Sequence, residues 1–272
     1  MIRGTRSAAL VAAAVMGSML AITQAGARDA ARPDCSAPSE LTRLPYALTH
    51  TAARIAAGDP LTIVAIGSSS TAGAGASSPA ASYPSRLAVE LQKVFPRSRI
   101  TVFNRGVNGE ETGDMLARFD GQVIAAKPDL VIWQLGTNAV LRDRPLDSAV
   151  ALIRDGLRRI KAAGADVVLI DPQYAPKVIA KRDSEGMVNL ISLAAKEDSV
   201  DLFPRYAVMR DWRDHQGIPF ETFVSPDGIH MNDWSYACLA KLLGRGIAEA
   251  ATRASAPAQV AGGRKIIGSV AH

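Results

Sequence analysis

From residue 61 onward, five short apolar runs alternate with five stretches of helical periodicity. That order predicts an α/β domain: a three-layer α/β/α sandwich around a five-stranded parallel sheet. The runs are continuously apolar rather than alternating, as strands buried on both faces require. The chain has 272 residues, 48% hydrophobic and 21% charged, enough for one large α/β domain with its own core.

The elements follow in order. Thr62–Ile66 is the first predicted strand and Tyr83–Val94 the helix after it. Ile100–Asn104 is the second strand, followed by a helix over Thr112–Ala126. Leu130–Leu135 is the third. In the next helix Leu146, Val150, Ile153, Leu157 and Ile160 recur at steps of three and four, with Asp147 near its start and Gly164 at its end. Asp166–Ile170, a helix over Asp183–Lys196 and Val200–Phe203 complete the sheet. Pro204–Pro226 has no clean period and reads as a long connection that walls the site, because it runs into Asp227. Asn232–Ala251 is the closing helix, capped by Asn232 or Asp233.

The ends read differently. Arg3 and Arg6, the apolar run Ala8–Ile22 and Ala25-Gly26-Ala27 form a secretory signal over residues 1–27, cleaved after Ala27. The run is too short for the ~20 residues of a spanning helix, so no stable membrane insertion is expected after cleavage. Residues 28–60 form a lead-in, loosely held over 28–45 with a short helix in Tyr46–Ala57. The domain proper covers 61–251. Residues 252–272, rich in Ala, Gly and Ser, read as a disordered tail. Without the two signal arginines, 29 basic residues face 26 acidic ones, a net +3. No dense Lys/Arg run interleaved with aromatics points to nucleic acid. Cys35 and Cys238 are the two cysteines. Export favours a disulfide between them, while the setting Ser235–Leu239 suits a small buried thiol equally well.

Leu61–Gly75, LTIVAIGSSSTAGAG, leads an apolar strand into a glycine and three serines. Reactive groups in open α/β sheets collect beyond the carboxyl ends of strands. A serine there has help from the N–H groups opening a helix. Ser68, Ser69 and Ser70 suit a plain turn as well. Asp227-Gly228-Ile229-His230 shifts the balance, since an alkoxide needs a base and the base needs a carboxylate to fix its tautomer. Of the four histidines, His272 lies in the tail, His50 precedes the first strand and His215 falls in a charged loop. Only His230 comes with an acid and a helix start. There is no HExxH, CxxC, P-loop or dinucleotide fingerprint, so neither metal nor cofactor is expected.

These blocks carry a resemblance. Gly67-Ser68-Ser69-Ser70-Thr71-Ala72-Gly73 resembles the first block of the SGNH/GDSL hydrolases, normally Gly-Asp-Ser followed by x-Thr. Asn104-Arg105-Gly106-Val107-Asn108-Gly109-Glu110 is similar to their second block, Gly136-Thr137-Asn138 to the third and Asp227-x-x-His230 to the fifth. The likeness covers roughly residues 60–250. It implies a flavodoxin-like sheet and a serine esterase. Ser69 would be the nucleophile and His230 the base, oriented by Asp227. The oxyanion donors would be the Ser69 and Gly109 N–H groups and the Asn138 side chain. One departure stands out: the family's Asp before the nucleophile is Ser68 here, which leaves Ser68 and Ser70 as neighbouring candidates. The Gly-x-Ser-x-Gly elbow of the α/β-hydrolases is absent at this loop.

The resemblance implies ester substrates: acetylated sugars, lipids or thioesters. The small, polar Ala74–Tyr83 loop would border a shallow site, and no long apolar stripe offers itself to an acyl chain. The reading is therefore a periplasmic or secreted esterase for short acyl groups, such as O-acetyl on a glycan. Two other readings stay open: an acyltransferase at the same site, and a non-catalytic glycan- or anion-binding protein. Trp133, Gln173, Tyr174 and Trp234 lie near strand ends or the last block, as core, rim or sugar platform.

Overall fold

Strands Leu61–Gly67 (β1), Ile100–Gly106 (β2), Leu130–Gln134 (β3), Asp166–Ile170 (β4) and Asp201–Phe203 (β5) form one parallel sheet in the order β2-β1-β3-β4-β5. Leu61 pairs with Ile100, Ile63 with Leu130, Leu130 with Asp166 and Val168 with Asp201. The structure is a computed structural model that describes Met1 and residues 33–255. All of the predicted signal segment but Met1, with the rest of residues 2–32, and the tail beyond Ser255 lie outside the described residues.

The major helices are Thr49–Ala57 (α1), Tyr83–Val94 (α2), Asp147–Ala162 (α3), Ser184–Glu197 (α4), Arg205–Asp214 (α5) and Asp233–Ser255 (α6). The chain steps outward from β1 to β2, then reverses through β3 to β5. Right-handed crossovers in opposite directions put their helices on opposite faces. Accordingly α2 packs with α6, which also carries α1, while α3 packs with α4 and with the short helix Thr112–Ala117. β3 is buried along its whole length. The reversal between β1 and β3 opens a crevice at the carboxyl ends of the strands, and the four motif blocks lie at or near those ends.

The sheet and the helices Tyr83–Val94 and Asp147–Ala162 lie where the apolar runs and their periodicity place them, within a residue or two at each end. Asn232 caps α6, its Oδ1 accepting from the Trp234 and Ser235 N–H groups at 3.1 and 3.3 Å. Four expectations need correction. The lead-in is not loosely held from Pro33 on. Cys35 is disulfide-bonded to Cys238, and the indoles of Trp212 and Trp234 donate to the Ser36 and Pro33 carbonyls at 2.8 and 3.1 Å. Buried indole N–H groups need such partners, and the strap supplies them. The stretch Thr112–Ala126 is not one helix. It breaks into Thr112–Ala117, Phe119–Gln122 and a 3₁₀ turn Ile124–Ala126, with the break at Arg118, whose guanidinium turns inward to Glu110. Pro204–Pro226 is mostly helical: α5 buries Tyr206, Met209 and Trp212 at steps of three, and Phe220–Phe223 adds a turn. The last helix runs to Ser255, past the expected end at Ala251.

The amino-terminal edge of the sheet carries a testable charge. Asp201 is 1% exposed. Its Oδ1 accepts from the Tyr46 N–H at 2.9 Å, and its Oδ2 has no hydrogen-bond partner among the described residues. Burial pushes the carboxyl up to about 6; the Tyr46 N–H and the charge of Arg253 oppose this. A carboxyl raised by folding stabilises the fold while protonated. That contribution is full below the ordinary carboxylate range and is lost as pH rises through about 6. Asp201→Asn keeps the acceptor for Tyr46 and removes the buried charge. It is expected to raise Tm by a few degrees at pH 8 and to leave it unchanged near pH 4. An equal shift at both pH values in thermal melts would contradict this account.

Candidate active site

Beyond β1, the chain turns at Ser68 into the one-turn helix Ser69–Ala72. The turn is tied from below. Gln134, at the end of β3, accepts with Oε1 from the Ser68 N–H (2.9 Å), the Ser68 hydroxyl (3.0 Å) and the Thr71 hydroxyl (3.3 Å). Gln173, beyond β4, accepts from the Ser70 hydroxyl at 3.5 Å and the Thr137 hydroxyl at 2.9 Å, and donates to the Ile229 carbonyl at 3.0 Å. Ser68 and Ser70 are each 1% exposed. The three serines are thereby distinguished: two are buried with occupied hydroxyls, and Ser69 alone opens toward the crevice. Where the resemblance has Asp, Ser68 donates twice to one amide oxygen.

His230 comes back to this point across 161 residues. Its Nε2 lies 2.8 Å from Ser69 Oγ and its Nδ1 2.5 Å from Asp227 Oδ2. The turn holding both residues is closed by an antiparallel bridge between Val224 and Met231. Ser225 N–H donates to the His230 carbonyl at 2.8 Å. Asp227 Oδ1 accepts from the Ile229 and His230 N–H groups and the Ser225 hydroxyl at 2.8, 2.9 and 2.8 Å. Burial works to raise the Asp227 pKa. The hydrogen bonds from His230, Ile229 and Ser225 outweigh it and hold the carboxyl well below the usual carboxylate range. An ionised Asp227 fixes the imidazole proton on Nδ1 and leaves Nε2 as acceptor for the Ser69 hydroxyl.

The turn carrying Ser225 to His230 is the far end of the connection expected to wall the site. The Ala74–Tyr83 loop does more than border it. Gly75, at φ +86°, packs against the turn so closely that a Cβ there would lie 2.2 Å from the Met231 carbonyl and 3.0 Å from His230 Cβ. Tyr236 donates to the Ala74 carbonyl at 2.7 Å, and Asp233 accepts from the Ser77 hydroxyl and N–H at 2.5 and 2.8 Å.

The remaining predicted residues face the same crevice from β2 and β3. Gly109 sits in a turn at φ +81°. Asn138 lies in the short helix Thr137–Leu141, and its amide donates one hydrogen to the Glu110 carbonyl at 2.8 Å, leaving a second. Among the described residues no acceptor takes the N–H of Ser69 or Gly109. Free donors of this kind stabilise developing negative charge. The aromatic candidates are mostly structural. Trp133 is fully buried against Phe119. Trp234 packs on Trp212. Tyr174 stays half-buried, edge-on to Tyr206 and stacked near Phe220. Gln173 is a 0% exposed tie, not a rim residue. Gln134 escaped sequence reasoning altogether; a polar residue closing an otherwise apolar strand, LVIWQ, was its one signal.

Residues 34–253 match the family model described as the non-GDSL lipase-like family. The chain belongs to that family. Its description suits a first block that reads Gly-Ser-Ser in place of Gly-Asp-Ser. Within the wider circle of this non-GDSL lipase-like chain, an arylesterase of Vibrio mimicus is 31% identical over 105 residues, 39% of this chain and 52% of that protein. An acetylxylan esterase of Geobacillus stearothermophilus is 35% identical over 94 residues, 31% of this chain and 43% of the relative. The matches thus span about half the length of these curated relatives. Among solved structures, a two-domain esterase active on acetylated mannans superposes with a TM-score of 0.66 at 19% identity, over 78% of this chain and 56% of that one. At that identity the likeness speaks for the fold, which is shared.

Proposed function

We propose that this chain is an exported serine esterase that removes short acyl groups, acetyl above all, from glycans or similar alcohols. The observation that carries the reading is the unbroken hydrogen-bond chain from Asp227 through His230 to Ser69. Ser69 Oγ attacks the ester carbonyl while its proton passes to His230 Nε2. The oxyanion is held by the N–H groups of Ser69 and Gly109 and the free amide hydrogen of Asn138. The imidazolium, steadied by Asp227, gives its proton to the departing alkoxide. The acyl-enzyme is then hydrolysed by water in the reverse sense. The relative named as an acetylxylan esterase supports acetylated glycans as substrates. The Cys35–Cys238 disulfide supports export to an oxidising compartment. Among the described residues no helix is long and apolar enough to cross a membrane.

A panel of acetyl, butyryl and longer nitrophenyl esters, run beside acetylated polysaccharides, tests the reading. Acetyl esters are expected to turn over fastest, and a fluorophosphonate probe is expected to label Ser69. Binding of acetylated glycan without labelling or turnover would replace the esterase by a binding protein. Transfer of acetyl to an added glycan in preference to water would replace it by an acyltransferase.

A further inference from the structure

The turn Val107–Glu110 carries one of the proposed oxyanion donors, and its backbone is anchored at the start, where the Val107 N–H donates to the Gly67 carbonyl at 3.0 Å. Val107 is 42% exposed, Asn108 is exposed, and the closing contact from Glu110 N–H to the Val107 carbonyl is long, at 3.5 Å. Gly109 follows at positive φ, where glycine tolerates both signs of φ and so does not fix its own peptide plane. Three side chains do the fixing. Arg118 grips the Glu110 carboxylate from inside, both oxygens within 2.9 Å of its Nε. Asn138 donates to the Glu110 carbonyl. Of the three, Arg142 bonds Gly109 itself: its Nη2 donates to the Gly109 carbonyl at 2.8 Å, and its Nη1 to Glu111 at 2.7 Å. That pins the Gly109–Glu110 peptide, and so the anchor from which the Gly109 torsions set the direction of the N–H in the preceding peptide. The Arg142 N–H also donates to the Asn138 carbonyl at 3.0 Å, so one residue links the segments bearing two of the three donors.

We propose that Arg142 is a positioning residue that holds the Gly109 N–H in register with the Asn138 amide. This inference rests on the esterase reading above. Arg142 touches the loop from outside, with its side chain 44% exposed, so its removal spares the core. Its contact belongs to the geometry that receives developing charge rather than to ground-state binding, and such contacts appear in kcat.

The experiment uses the full-length purified protein and a short-chain nitrophenyl ester. Arg142→Ala is expected to lower kcat about tenfold, less than outright loss of an oxyanion donor, with KM within about twofold and Tm unchanged. Affinity for a boronic acid, which mimics the tetrahedral intermediate at Ser69, is expected to fall in parallel with kcat/KM. Arg142→Lys, with one donor group in place of a fork, is expected to fall between the two. Arg144→Ala, a variant of a residue that touches Glu111 but not Gly109, serves as control and is expected to keep the parent kcat. An unchanged kcat in Arg142→Ala overturns the proposal. So does a raised KM at constant kcat, which would make Arg142 a substrate contact, and so does an equal loss in Arg144→Ala. Failure of the parent protein to be labelled by fluorophosphonate at Ser69 overturns the esterase reading and this inference with it.

Discussion

Ser69→Ala is expected to lower turnover of a short-chain ester by about ten-thousand-fold or more, while Ser68→Ala and Ser70→Ala keep easily measured activity. The difference follows from burial. The hydroxyls of Ser68 and Ser70 point into the amides of Gln134 and Gln173, whereas the Ser69 hydroxyl meets an imidazole nitrogen at 2.8 Å. Asp227→Asn is expected to cost about as much as Ser69→Ala without disturbing the fold. Asp227 Oδ1 already takes three donors, so the new amide nitrogen must occupy the Oδ2 position. There it donates to Nδ1 and drives the imidazole proton onto Nε2, where Ser69 needs an acceptor. Because its hydrogen bonds hold Asp227 below the ordinary carboxylate range, mild acid leaves this carboxylate charged and does not mimic the variant. Steady-state kinetics of the four proteins decide the matter. Retention of a large share of the parent rate in Ser69→Ala would remove this residue from the chemistry.

Gly75→Ala is expected to lower kcat about a hundredfold although the residue contributes no side chain to the crevice. Its Cβ would meet a backbone carbonyl, Met231 O, at 2.2 Å, and backbone cannot swing away as a flexible side chain can. The displaced segment carries His230, and a shift of about 1 Å in the proposed base is expected to have an effect of that order. The positive φ adds strain of its own. Gly58 is the control: it has a positive φ too, but its added Cβ meets nothing within 4 Å. Gly58→Ala is expected to lower Tm modestly and leave kcat alone. Equal kinetic effects in the two variants would mean that strain, not crowding of His230, is responsible.

Much of the fold is legible in the sequence for a simple reason. Val131 and Ile132 in β3, or Ile153, Leu157 and Ile160 in α3, are buried by the sheet they help form, so local pattern and tertiary outcome agree. The failures have a common cause as well. In α5 the charged residues Arg205, Arg210, Asp211, Arg213 and Asp214 interrupt the steps of Tyr206, Met209 and Trp212. Arg205 is itself buried, with Nε and Nη2 on the Asp171 carbonyl at 3.0 and 2.6 Å. A polar composition hid the strap from Pro33 to Ser36, whose value lies in carbonyls offered to two distant indoles. The candidate site divides the same way. Ser69, Asp227 and His230 stand in short motifs with chemical meaning, and the structure brings them together. Gln134, Gln173 and Arg142 act through partners 31 to 103 residues away, and nothing adjacent to them in sequence declares it.

Gln173 has a consequence for how the molecule comes into being. One amide joins Ser70, Thr137 and Ile229, pieces far apart in the chain that leave the ribosome one after another. Until the last of them emerges, the crevice lacks a wall and the proposed nucleophile lacks the imidazole beside it. A nascent or clipped chain that stops short of Ile229 therefore carries all five strands but lacks the histidine of the proposed triad.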